Sequence, residues 1–201
     1  EQPSKDRLNS DNNLISYEIK GSYYLNGTDS LALKYKDSKS DFGIAPNVYD
    51  NSEGYQRMNK KDLKSLYGYY DHIENDFEAN VRLYYDRYED IYDFYTDKSF
   101  QTLLFPSSLY DDERIGIIGK TKFKKDRDEL SFVLKYQRDE HVWERDGSSY
   151  VPIFQYRNLS SSVIGKKVYD NLTITGAITY KDFKPVKVDY DGDPAYTQNE
   201  K

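Results

Sequence analysis

The sequence has no cysteine, one methionine, one tryptophan and two histidines among 201 residues. Without cysteine there is no disulfide framework and no thiol nucleophile, and two histidines leave the commoner zinc sites out of reach. No apolar run approaches the roughly 20 residues that a membrane-spanning helix needs. No basic excess exists either: the net charge is −6, with both signs interspersed, so a nucleic-acid partner is not expected. No cofactor motif is complete. The closest is "GIIGKT" (116–121), which lacks the first glycine of a phosphate loop because Arg114 stands there. The next residues, "KFKKDRDEL", resemble a strand end and a turn rather than a helix aimed at phosphate. Two glycines in a strand that bulges or packs closely is the better reading.

What the chain does have is tyrosine, 22 of them, with nine phenylalanines. A tyrosine packs as an aromatic but needs a partner or water for its hydroxyl, which places such a core near its own boundary. Ile15, Tyr17, Ile19 and Tyr23 alternate with polar residues, Asn26-Gly27 marks a turn, and Leu31, Leu33 and Tyr35 resume the alternation. That pattern predicts a hairpin. Residues 37–56 read as a long irregular connection. Leu63, Leu66, Tyr67 and Tyr70 fall at helical spacing after Asn59, and 96–105 reads as a helix that stops before Pro106.

The densest aromatic stretch is "YYDRYEDIYDFY" (84–95). Phe77, Ala79, Val81, Leu83 and Tyr85 alternate without a break, so the expectation is a strand over 77–85, a polar turn "DRYED", and a strand over 91–95. Further strands are predicted at 114–123, 129–137, 150–157, 171–180 and 184–190. The fold class expected is α+β and β-rich: an antiparallel sheet or sandwich built from hairpins, with one or two short helices. Residues 1–13 read as a flexible tether, 14–190 as a single domain, and 191–201 as an acidic polar tail.

The run from "VRLYYDRYEDIYDFYTDKSF" through "IGIIGKTKF", "ELSFVLKYQRDE" and "YVPIFQYR" resembles a family of uncharacterised secreted lipoproteins of Bacteroides-type bacteria. The resemblance covers about residues 77–157. It implies an extracytoplasmic protein, periplasmic or on the outer cell surface, whose only membrane contact is a lipid anchor outside this chain. It carries over no catalytic or binding residue.

Among candidate sites, "DYDGD" sets Asp189, Asp191 and Asp193 on one side of an extended chain as a weak calcium candidate, outweighed by an acidic tail. His141 in "DEHVWERD" shares a strand face with Asp139 and Trp143 and not with Glu140 or Glu144, so it assembles no catalytic pair from its neighbours. No catalytic residue is assigned. Exposed rings can stack on sugars or anchor a protein partner, which singles out Trp143, Tyr88 and Tyr84 as a candidate contact surface. The function expected is therefore a non-enzymatic envelope domain binding a glycan or a protein. Two alternatives are a glycan-directed hydrolase with paired carboxylates and an acidic inhibitor or immunity-type protein.

Overall fold

A computed structural model describes residues 11–44, 55–97, 99–145 and 153–188. These residues form one sheet of eight antiparallel strands in the order of the chain: β1 (Asn12–Tyr24), β2 (Asp29–Ile44), β3 (Tyr55–Glu74), β4 (Phe77–Tyr95), β5 (Ser108–Lys125), β6 (Asp128–Arg145), β7 (Ile153–Val168) and β8 (Thr173–Val188). The strands run from 13 residues in β1 to 20 in β3. Each pairs only with its sequence neighbours, and β1 and β8 do not touch each other.

The α+β expectation is thus corrected: the fold is all-β, with no helix among the described residues. The helical spacing after Asn59 belongs to β3, where Leu66 and Tyr70 point to one face and Leu63 and Tyr67 to the other. Large side chains on both faces erase the period of two and imitate a helix. Asn59 lies at a β-bulge between Met58 and Lys60, and its side-chain amide donates to Asp93 and to the Tyr95 hydroxyl. The second expected helix, 96–105, is a bent connection in which Leu103 bridges back to Tyr95.

The expected turn "DRYED" is also absent, because β4 runs unbroken through it. Its charges are rungs of the sheet: the Arg87 guanidinium holds Asp111 at 2.7 Å, and Lys60 holds Glu89 at 2.5 Å. The two expected strands at the C-terminal end merge into β8, with Pro185 at a register shift opposite Tyr156. Proline is tolerated there because β8 is an edge strand. The predicted irregular connection shrinks as well, since β2 continues to Ile44 and β3 begins at Tyr55.

Connections alternate in length. Two-residue turns follow β3 and β5, and four residues link β1 to β2 and β7 to β8. Asn75 and Asp126 adopt φ of 40° and 54° in the two tightest turns, a left-handed conformation that Asn and Asp tolerate best. In the first hairpin the Asn26 side-chain oxygen accepts from the Thr28 and Asp29 amides, each at 2.8 Å. All four short turns lie at one end of the sheet. The longer connections, after β2, β4 and β6, lie at the other.

Candidate functional site

The burial pattern is inverted relative to a water-soluble domain. Among the described residues the only buried large rings are Tyr84 and Tyr95, while Asp37, Ser65, Asp86, Asp93, Ser108, Ser131 and Gln137 are all buried. Large aliphatics are left in the open: Leu33 is 60 % exposed, Leu83 54 %, Leu134 55 % and Ile178 80 %. A monomeric soluble protein rarely leaves a contiguous apolar patch beyond a few hundred Å² uncovered.

The register explains how this arises. Side chains paired directly across strands share a face. One such row reads Gly21, Leu33, Gly68, Leu83, Ile117, Tyr136 and Leu159 and ends at Asp182 in β8, and the next reads Tyr23, Leu31, Tyr70, Val81, Gly119, Leu134, Ser161 and Tyr180. Together they make an apolar band across all eight strands. Aromatic side chains flank it. Tyr17, Tyr35 and Tyr85 lie toward the longer connections, and Phe77, Phe123 and Phe132 toward the short turns, with the Phe77 and Phe123 ring centres 5.0 Å apart. Beyond the upper rings the same face becomes charged: Lys64, Arg87, Glu113 and Glu140 share one row.

The band also crosses the register rows obliquely. It is centred on Ile19 in β1 but near Ile178 in β8, three rows closer to the turn end. Six residues of rise are about 20 Å and seven strand spacings are about 34 Å, so the band is level when the strands tilt by about 30°. That is close to the ~35–45° tilt of strands in barrel walls.

The opposite face is polar and crowded. Gly116 is buried beneath Tyr84, and a Cβ there would lie 2.4 Å from the end of the Tyr84 ring and 2.8 Å from the Tyr136 carbonyl oxygen. The ring crosses this gap so that its hydroxyl donates to Gln137 Oε1 at 2.7 Å. Gln137 donates in turn to Asp139, which also accepts from Arg114 at 2.8 Å. Beside it Tyr67 donates to Asp86 at 2.9 Å. With no second layer among the described residues, these side chains bury one another, as they do when a sheet curves toward that side.

Tyr84, Tyr88 and Trp143 all face the polar side. Tyr84 is a packing ring. Tyr88 and Trp143 are half-buried, and burial raises the Tyr88 hydroxyl above its ordinary pKa. His141 does find an acid, but across the strand pair: its Nδ1 is 2.5 Å from Asp112. His72 likewise pairs with Asp29 at 2.9 Å. Asp29 collects donors from Tyr70, His72, Asn26 and Thr28, the Tyr70 hydroxyl foremost, and is held far below the usual carboxylate range. Asp189, Asp191 and Asp193 lie outside the described residues, and no cluster of metal-ligating side chains occurs among those described.

Two grooves bear on the hydrolase alternative. One of about 580 Å³ lies on the apolar band around Gly21, Gly68 and Leu83, and its lining holds no carboxylate. Another, of about 290 Å³, holds Glu89 and Asp111, but Lys60 and Arg87 neutralise both. Asp90 in the same groove is pushed up by burial, the nearby Lys61 opposing. No protein-family model, curated protein or solved structure matches the chain.

The residue pattern alone did not reveal the apolar rows or the cations that lie behind them. Their signal is unbroken alternation over whole strands, with short and long connections taking turns.

Proposed function

We propose that these eight strands are wall of a membrane-spanning β-barrel in an outer-envelope membrane, with the apolar face in lipid and the polar face toward a lumen. The observation that carries this reading is the inversion of burial: one face buries Ser65, Asp86, Ser131 and Gln137, while the other leaves Leu33, Leu83, Leu134 and Ile178 exposed. Only helices and closed barrels satisfy backbone groups in hydrocarbon, and barrel strands present apolar residues outward and polar residues inward. Supporting it are the rings flanking the band, the tilt, and the short turns at one end opposite longer connections at the other. The stretch Phe77–Tyr85 gives nine residues of alternation, near the 9–11 of a membrane-crossing strand. This reading keeps the extracytoplasmic location expected from the sequence and makes the sheet itself the membrane contact, in place of an anchor alone.

The absence of native cysteine provides the test, because single cysteines can be placed at will. Full-length protein carrying Leu83→Cys, Ile117→Cys or Leu134→Cys, labelled with a polarity-sensitive fluorophore in lipid vesicles, is expected to be quenched by brominated acyl chains. Asn80→Cys and Lys135→Cys are expected to respond to aqueous iodide instead. If both sets report water, or if the protein washes off membranes at alkaline pH, the barrel reading fails. A lipid-anchored binding domain would then fit better.

A further inference from the structure

Resting on that barrel reading, we propose that the polar face lines an aqueous path that favours small anions such as chloride and phosphate. The chain as a whole is acidic, yet one zone of this face is not. Three consecutive register rows on it contain Lys20, Lys34, Arg82, Lys120, Lys135 and Lys181, against one carboxylate, Asp71. Lys34 is ion-paired with Glu18 at 2.8 Å. Among the described residues, the other five have no carboxylate within ion-pair distance, and Asp71 is engaged by the Asn80 amide at 2.7 Å. Lys20, from β1, and Arg82, from β4, approach the Tyr69 ring of β3, with centroid distances of 5.7 and 5.2 Å.

Depth gives these charges their meaning. Arg82 precedes Leu83, Lys135 lies between Leu134 and Tyr136, and Lys181 follows Tyr180, so the cations stand directly behind the apolar band. Unpaired charge at membrane depth is costly unless it faces water. Five such side chains therefore require a wet lumen. Arg82, Lys135 and Lys181 occupy one row on alternate strands, about 10 Å apart, which is close to the ~8 Å screening length at physiological salt. Their fields overlap along the row. Rings of Lys and Arg are how pores select anions, whereas the acids of this face collect nearer the longer connections, at Asp86, Asp90, Asp112 and Asp139.

The test is the reversal potential of full-length protein in planar bilayers under a steep KCl gradient. Wild type is expected to pass chloride several times more readily than potassium. The triple neutral variant Arg82→Gln, Lys135→Gln, Lys181→Gln is expected to lose most of that preference, and the triple glutamate variant to invert it. Insertion of every variant is checked by the lipid-quenching assay on a Leu83→Cys background. Protein that inserts but conducts nothing, or is cation-selective, or whose preference is unmoved in both triple variants, overturns the anion path and leaves the barrel standing. Wild-type protein that fails to insert overturns the barrel and the path together. A triple variant that does not insert transfers the decision to the single variants Arg82→Gln and Lys135→Gln, whose partial loss of preference supports the path and whose unchanged preference overturns it.

Discussion

Leu83 and Tyr84 are adjacent in β4 and occupy opposite media. Leu83 is 54 % exposed in a row with Leu33, Gly68, Ile117, Tyr136 and Leu159, while Tyr84 is 8 % exposed, seated over Gly116 and hydrogen-bonded to Gln137. The leucine side has bulk and no partners. The tyrosine side links its polar groups to one another around Tyr84, from Tyr67 and Asp86 to Gln137, Asp139 and Arg114. In water this division would be backwards, since the apolar face would seek a second layer and the polar face would need none. In a membrane it is what each surface requires: the outward side needs only to be apolar and smooth, and the inward side must satisfy its own hydrogen bonds. Substitutions should therefore be judged by face before residue type.

The sharpest way to break this comparison is to place a charge on the outward side. Leu83→Arg or Leu134→Arg is expected to cost about 2–4 kcal/mol in the lipid-inserted state, while Asn80→Arg, facing inward and nearer the short turn in the same strand as Leu83, is expected to cost little. Urea unfolding in vesicles, followed by the single tryptophan Trp143, measures both; equal costs would remove the distinction between the faces. Next in size is Gly116→Val, which drives a branched side chain into the Tyr84 ring and a backbone carbonyl. A loss of about 1–3 kcal/mol is expected, partly relieved by Tyr84→Ala in the same chain. Tyr84→Phe, which removes only the donor to Gln137, is expected to cost about 1 kcal/mol by the same measurement. Lys60→Ala, on the charged extension of the outward face, should change stability by about 1 kcal/mol or less and lose that effect in high salt.

A final prediction concerns pH. Because Asp29 is held below its unfolded pKa, its contribution is fully present at neutral pH and is lost as pH falls through the lowered value. The stability difference between wild type and Asp29→Asn should therefore shrink on acidification, and a difference that grew would contradict the arrangement around Asp29.

Much of this was legible in the residues. The first hairpin is written in Ile15–Tyr35 with Asn26-Gly27 at its tip, and the close packing of Gly116 was a reasonable expectation from "GIIGKT". What escaped reading was strand length. Asp86, Arg87, Glu89 and Asp90 look like a turn because charged residues in water usually end a strand. Here they continue it, with ion-pair and tyrosine partners supplied by β3 and β5. Leu63–Tyr70 misled for a related reason: both faces of β3 carry large side chains, one row meeting Leu33 and Leu83 near Gly68, the other meeting Tyr84. The candidate surface was only partly visible. Trp143, Tyr88 and Tyr84 share a face, but the lysines behind the apolar band announce themselves only once the register aligns them.

The two edges carry a numerical consequence. β1 runs toward the short-turn end and β8 away from it, because eight strands alternate in direction. Joined to each other they would close as an antiparallel seam. Any strands interposed between them keep every seam antiparallel only if they come in twos, so a cylinder closed on these two edges would have an even circumference whatever its diameter.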